Sequence, residues 1–194
     1  MRAYDNFIVF IEKRFNDTIT MSNGQELYVD TKFDEFKHRV NEGVVVGTPF
    51  KHETPVQEGD ILYFHHLVVI NEGQPLTGKD NHYLVKYNKK ETINSQCICY
   101  KSKETGEIFP LSGWAVLEPV EEETKLKSDI IEIVTLEEPL PTKGVVAFNS
   151  EELEELGVKK GDVVGFRKNM DYRFKIDGKE YYRTRSEDLL YVEV

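Results

Sequence analysis

Cysteine is nearly absent from this chain: Cys97 and Cys99 are the only two among 194 residues. Their C-x-C spacing in Gln96-Cys97-Ile98-Cys99-Tyr100 puts both on one face of a strand. A thiolate metal site needs further ligands, and no CxxC or HxxxH motif supplies them. Two reduced thiols in a core are the expectation. Long apolar runs are missing too. No segment is long enough to span a bilayer, and Met1-Arg2-Ala3-Tyr4-Asp5-Asn6 lacks the apolar stretch of a signal peptide. The expectation is a cytoplasmic protein with no membrane partner. Positive charge is in deficit, with 25 Lys and Arg against 35 Asp and Glu, a net charge of −10. That balance argues against sequence-independent nucleic-acid binding, which needs a basic surface to displace counterions. Catalytic signatures are absent as well: no G-x-S-x-G, HExxH, Walker A or G-x-G-x-x-G occurs. His65-His66 is the one histidine pair. Placed in a strand, its rings face opposite sides and cannot share a metal. The chain is read as a non-enzyme without metal or cofactor.

What is present is an ordinary globular composition, 39% hydrophobic and 31% charged. Glu121, Glu122, Glu123, Glu151, Glu152, Glu154 and Glu155 are followed by Arg167, Lys168, Arg173, Lys175, Lys179, Arg183 and Arg185, a solvated surface of mixed sign. The most informative stretch is Val158-Lys159-Lys160-Gly161-Asp162-Val163-Val164-Gly165-Phe166. Gly161 and Asp162 make a turn, and the β-branched and aromatic residues after them suit a half-buried strand. A near copy lies upstream, Val56-Gln57-Glu58-Gly59-Asp60-Ile61-Leu62-Tyr63-Phe64. One small β-unit is used twice.

The rest of the chain follows that repeat. Phe7-Ile8-Val9-Phe10-Ile11 predicts a strand buried on both faces, matched by Trp114-Ala115-Val116-Leu117-Glu118. From Phe15 to Asn41 no regular strand pattern is seen, and a short amphipathic helix fits Lys32 to Val40. Gly43 to Gly47 is matched by Gly144 to Phe148. The first Gly-Asp strand is expected to run on through His65 to Ile70. Glu151 to Leu156, capped by Ser150 and closed by Gly157, predicts one short helix. Asp177-Gly178 predicts a hairpin, and Ser95–Tyr100 and Ser186–Val192 the last strand of each half. The fold class is all-β, most simply two small barrels with long loops and little helix, with the boundary near Thr105-Gly106.

Five segments of the second half carry a family resemblance: Phe109-Pro110-Leu111, Lys143-Gly144-Val145-Val146, Val158 to Val164, Lys175 to Tyr181, and Ser186 to Leu190. In that order they resemble the co-chaperonin (GroES-type) family, and the first half resembles it more loosely. The resemblance implies two tandem GroES-like β-barrels, residues 1–105 and 106–194, with mobile loops at about 15–42 and 121–141. It also implies a homo-oligomer, a ring or partial ring, that caps a GroEL-type chaperonin, with any ATP bound by that partner. Chaperonin contact would fall to the apolar trio Leu27, Tyr28 and Val29, with Ile19 and Met21 as a rival anchor. Ile130, Ile131 and Ile133 are the second-loop candidates. From the residues themselves, two readings of Leu27-Tyr28-Val29 stand side by side: an exposed docking trio, or a strand edge folded on its own barrel. Ile131-Glu132-Ile133 alternates like an ordinary strand. The alternative function is a structural or adaptor protein that keeps the barrel without binding a chaperonin.

Overall fold

A computed structural model describes residues 1–30, 38–69, 74–111, 113–120 and 142–193. The predicted helix over Lys32 to Val40 falls largely outside these residues, and Ile130, Ile131 and Ile133 lie outside them altogether. The chain divides into two compact units, Met1–Ser112 and Gly113–Val194. Both are built on antiparallel strands, so the all-β reading holds. Among the described residues, no helix is long and apolar enough to cross a membrane.

The first unit contains β1 (Asn6–Phe10), β2 (Thr18–Thr20), β3 (Glu26–Tyr28), β4 (Glu42–Gly47), β5 (Ile61–Phe64), β6 (Gln74–Pro75), β7 (His82–Lys86), β8 (Cys97–Lys101) and β9 (Ile108–Pro110). Seven of them form one sheet in the order β6-β7-β1-β4-β5-β8-β9, and β2 and β3 pair only with each other. β1 takes an interior place because Phe7, Ile8 and Val9 are apolar on both faces, and all three are buried. Phe10 departs from the expected burial: it is exposed and rests edge-on against the His82 ring, 5.5 Å between centroids. One core gathers Phe7, Val9, Val45, Leu62, Phe64 and Val85.

The second unit contains β10 (Trp114–Pro119), β11 (Lys143–Val146), helix α1 (Glu151–Glu155), β12 (Val163–Phe166), β13 (Tyr172–Ile176), β14 (Lys179–Arg185) and β15 (Leu189–Glu193). Its sheet runs β13-β14-β10-β11-β12-β15. This is the same path as in the first unit, where β7-β1-β4-β5-β8 stand in corresponding places. A register irregularity falls at the same point of both Gly-Asp strands, between Tyr63 and Phe64 and between Gly165 and Phe166. Gly59 and Gly161 share a φ of +95°, a left-handed turn conformation that side chains strain to adopt. Gly165 has a different reason: a Cβ there would collide with the Tyr191 ring, which lies directly on its backbone. Ser150 Oγ accepts the Leu153 amide at 3.2 Å, and Asp177 and Gly178 both take positive φ, as the capped helix and tight hairpin require.

Three expectations change. The first Gly-Asp strand ends at Phe64, and His66–Val69 is a 3-10 turn. His65 Nδ1 accepts the Leu67 amide at 3.2 Å, so the side chain supports the turn in place of a strand ladder. The two imidazoles consequently lie together, 4.4 Å between centroids, not on opposite faces. The last strand of the second unit starts only at Leu189, after a 3-10 turn over Ser186–Asp188. The contact division falls at Ser112/Gly113, later than the boundary expected near residue 105, because Ile108–Pro110 pairs with Cys99–Lys101 in the first sheet.

Candidate partner-docking hairpin

The segment expected to lack regular strands carries a hairpin on a stem. The stem is made where Phe15 bridges Arg39, with the Asn16 amide donating to His38 O at 2.7 Å and the Val40 amide to Arg14 O at 3.1 Å. Arg14 ties it to the sheet below: its Nε donates to Tyr83 Oη at 2.7 Å, on β7. Beyond the stem, β2 and β3 pair in the register Thr18↔Tyr28, Ile19↔Leu27 and Thr20↔Glu26. The Val29 amide donating to Asp17 O and the Met21 amide to Gln25 O extend the ladder at either end. Ser22-Asn23-Gly24 closes it as a three-residue turn. The Gly24 amide donates to Met21 O, the Gln25 amide donates to Asn23 Oδ1 at 3.0 Å, and Gly24 sits at φ +81°.

This register sorts the candidate residues. Directly opposed residues share a face and neighbours alternate. Ile19, Met21, Leu27 and Val29 therefore lie on one face, and Tyr28 lies on the other with Thr18, Thr20 and Glu26. The two rival anchors are thus brought together: Ile19 stands opposite Leu27, 55% and 52% exposed respectively. The contiguous trio is split, since its middle member points away from its neighbours. Leu27 and Tyr28 of the trio are in a strand, but that strand is not an edge of the seven-stranded sheet. Burying what remains exposed of Ile19, Met21 and Leu27 is worth on the order of 1 kcal/mol each. One such face can hold an apolar groove only weakly. Tyr28 and Glu26 opposite keep the other side of the hairpin compatible with water.

Elsewhere the chemistry is structural. Among the described residues, no group of three or more His, Cys, Asp or Glu is placed to hold a metal ion. Burial pushes the thiols of Cys97 and Cys99 well above the usual range, and Cys97 Sγ donates to Lys86 O at 3.4 Å. Neither thiol should react with an aromatic disulfide reagent at neutral pH in the folded chain, and both should react in denaturant; rapid labelling without denaturant would mean that β8 opens locally. Trp114 escaped notice in the sequence beyond its place in a strand. Its ring carries the Arg185 guanidinium at 3.9 Å and that of Arg183 at 4.3 Å, and burial pulls Arg183 down to about 10. Arg183 and Arg185, two apart on β14, share one face of the strand, and the register that makes Trp114 the Cα partner of Arg185 brings them to the ring.

Comparison with known proteins converges on the second unit. Residues 107–192 match the family pattern of the Chaperonin 10 Kd subunit. The co-chaperonin GroES of Coprothermobacter proteolyticus is 37% identical over 93 residues, which span 44% of this chain and 94% of that protein. The co-chaperonin GroES of Thermus thermophilus, in two strains, is 38% identical over 92 residues, 44% of this chain and 90% of theirs.

Proposed function

Because this chain belongs to the GroES co-chaperonin family through its second unit, we propose that it caps an ATP-driven, GroEL-type chaperonin ring and thereby assists protein folding. In this reading the first unit is a second copy of the same domain. The shared strand path and the irregularity at the same point of both Gly-Asp strands support that view. The contact to the chaperonin is the Ile19–Met21–Leu27–Val29 face of the β2–β3 hairpin, and the observation that carries it is the exposure of that face on a stalk outside the main sheet. The protein itself does no covalent chemistry, and ATP is bound by its partner. A weak face suits a cap that must leave in every cycle, and several faces on one oligomer restore affinity through effective concentration.

Pull-down of a GroEL-type chaperonin, with and without ATP, tests this. Wild type should capture the chaperonin in a nucleotide-dependent way. Ile19→Asp/Leu27→Asp should reduce capture about tenfold or more, since two charges would have to enter an apolar groove. Tyr28→Ala, on the opposite face, should leave capture intact. Absence of capture by the wild type favours the adaptor reading, in which the barrel is kept without chaperonin binding.

A further inference from the structure

The contacts on Trp114 hold two guanidiniums in place without neutralising either. Arg183 lies over two rings, 4.3 Å from the Trp114 centroid and 4.5 Å from that of Tyr172, and Arg185 lies 3.9 Å from Trp114. Among the described residues, neither guanidinium has a hydrogen bond or an ion pair. Arg183 Nε and Arg185 Nη1 are buried without an acceptor, whereas the remaining guanidinium nitrogens of both residues are not enclosed. Burial pulls both groups below the ordinary arginine range, and the charge of Arg185 lowers Arg183 further. Glu187 and Asp188 act on Arg185 without pairing with it, and Asp188 is engaged by Arg167 at 3.5 Å. The barrel does not require this cluster, as the first unit shows. The Val45 and Val146 amides donate to Asp60 O and Asp162 O, and the two valines stand opposite Val9 and Leu117. Val9 therefore corresponds to Leu117, and Asn6, not Phe7, stands where Trp114 does. Asn6 pairs with Lys86, Ile8 with Leu84 and Leu84 with Gln74. Trp114 pairs with Arg185, Val116 with Arg183 and Arg183 with Tyr172. Asn6, Leu84, Lys86 and Gln74 thus serve the same strand path where the second unit has Trp114, Arg183, Arg185 and Tyr172.

We propose that Arg183 and Arg185, braced by Trp114 and Tyr172, bind a phosphate group on this face of the second unit. Two partly desolvated cations with no counter-charge are destabilising by themselves, and an anion between them removes that cost. Phosphate matches the pair in charge and in acceptors: it is close to a dianion at neutral pH and presents several strong acceptor oxygens to the planar edges of the guanidiniums. A carboxylate brings one charge and two oxygens, and leaves one arginine uncompensated. The faces of the two rings are already taken by the guanidiniums, so the site reads the phosphate itself and gives a nucleobase no stacking platform. Ring contacts also restrict both side chains before the ligand arrives, which reduces the ordering cost of binding. The chain carries a net charge of −10, so an anion gains nothing from long-range attraction and is held by these direct contacts. This inference is independent of chaperonin binding and is tested without a chaperonin.

Calorimetric titration of the full chain with inorganic phosphate, at an ionic strength held constant with sodium chloride, measures the affinity. Trp114 is the sole tryptophan, so a saturable change in its emission over the same concentrations places the phosphate at this cluster. Arg183→Leu, which installs the first unit's residue at this place, should weaken binding about tenfold or more. Without phosphate that variant should melt no lower than wild type, because it removes an unpaired charge, and phosphate should raise the melting temperature of wild type alone. If Arg183→Leu fails to fold, Arg185→Lys decides: it keeps the charge, loses the planar fork and should also bind more weakly. Glycerol phosphate in the same titration distinguishes the sources, tighter binding than inorganic phosphate indicating an ester and equal or weaker binding the free ion. A wild type that responds to phosphate no more than to chloride overturns the inference. So does binding that leaves Trp114 emission unchanged, or a folded variant that binds phosphate as tightly as wild type.

Discussion

Phe64→Ala should lower the unfolding free energy of the first unit by about 3–5 kcal/mol, the range for emptying a fully buried phenylalanine site. Phe64 is 0% exposed in the core with Phe7, Val9, Leu62 and Val85, and it sits where β5 leaves its regular register, so its neighbours are fixed from two directions. Its counterpart Phe166 is equally enclosed, by Leu117, Val146, Leu153 and Val164. Phe166→Ala should therefore cost a similar amount in the second unit. The two losses can be read separately, because Trp114 is the sole tryptophan and belongs to the second unit. Phe166→Ala should move the tryptophan fluorescence transition in denaturant. Phe64→Ala should move the circular dichroism transition. A loss below about 1 kcal/mol at either position would mean that its core collapses around the missing ring.

Asp60→Ala should cost about 2–3 kcal/mol, and Asp162→Ala about 1 kcal/mol, although the two carboxylates occupy the same place in the Gly-Asp motif. The difference lies in what each holds. Asp60 is buried, with Oδ2 accepting the Gln57 amide at 2.7 Å and Oδ1 the Lys103 amide at 3.0 Å. Asp162 is half-buried, and among the described residues its carboxylate accepts the Lys159 amide alone, at 2.8 Å. Removing Asp60 also frees the Ser102–Gly106 turn, whose Lys103 ammonium donates to Glu58 O at 2.6 Å. Denaturation midpoints of the two variants measure this, and equal losses would show that the Lys103 contact adds nothing.

The strand runs were legible because their causes are local. Phe7 to Val9 is apolar on consecutive positions, which only an interior strand accommodates, and the repeated Gly-Asp turn punctuates each unit. Asp177-Gly178 and Ser150 act within a few residues of themselves. The site was legible only in part. Ile19, Met21, Leu27, Tyr28 and Val29 stood out as apolar residues in a polar stretch. Their division between two faces depends on the pairing of β2 with β3, and strands of three residues are too short for an alternation to register. Likewise, Leu67-Val68-Val69-Ile70 reads as a strand by composition, and a hydrogen bond from the Leu67 amide to the His65 imidazole outweighs that tendency. Nothing in Phe109-Pro110-Leu111 names β8 as its partner. That pairing is a property of the finished sheet.

The β8·β9 ladder has a consequence for where this chain may be cut. The turn at Thr105-Gly106 is an inviting place to cut, since its backbone is exposed and Gly106 takes a positive φ. A truncation there keeps every strand from β1 to β8 and discards β9. Such a fragment would carry Ile98 and Tyr100 on an uncovered edge and should be sticky and hard to concentrate. Ending the fragment after Leu111 retains the covering strand, including the Leu111 amide that donates to Ile98 O. The usable end of the first unit thus lies past that turn, at Leu111, close to the division at Ser112/Gly113.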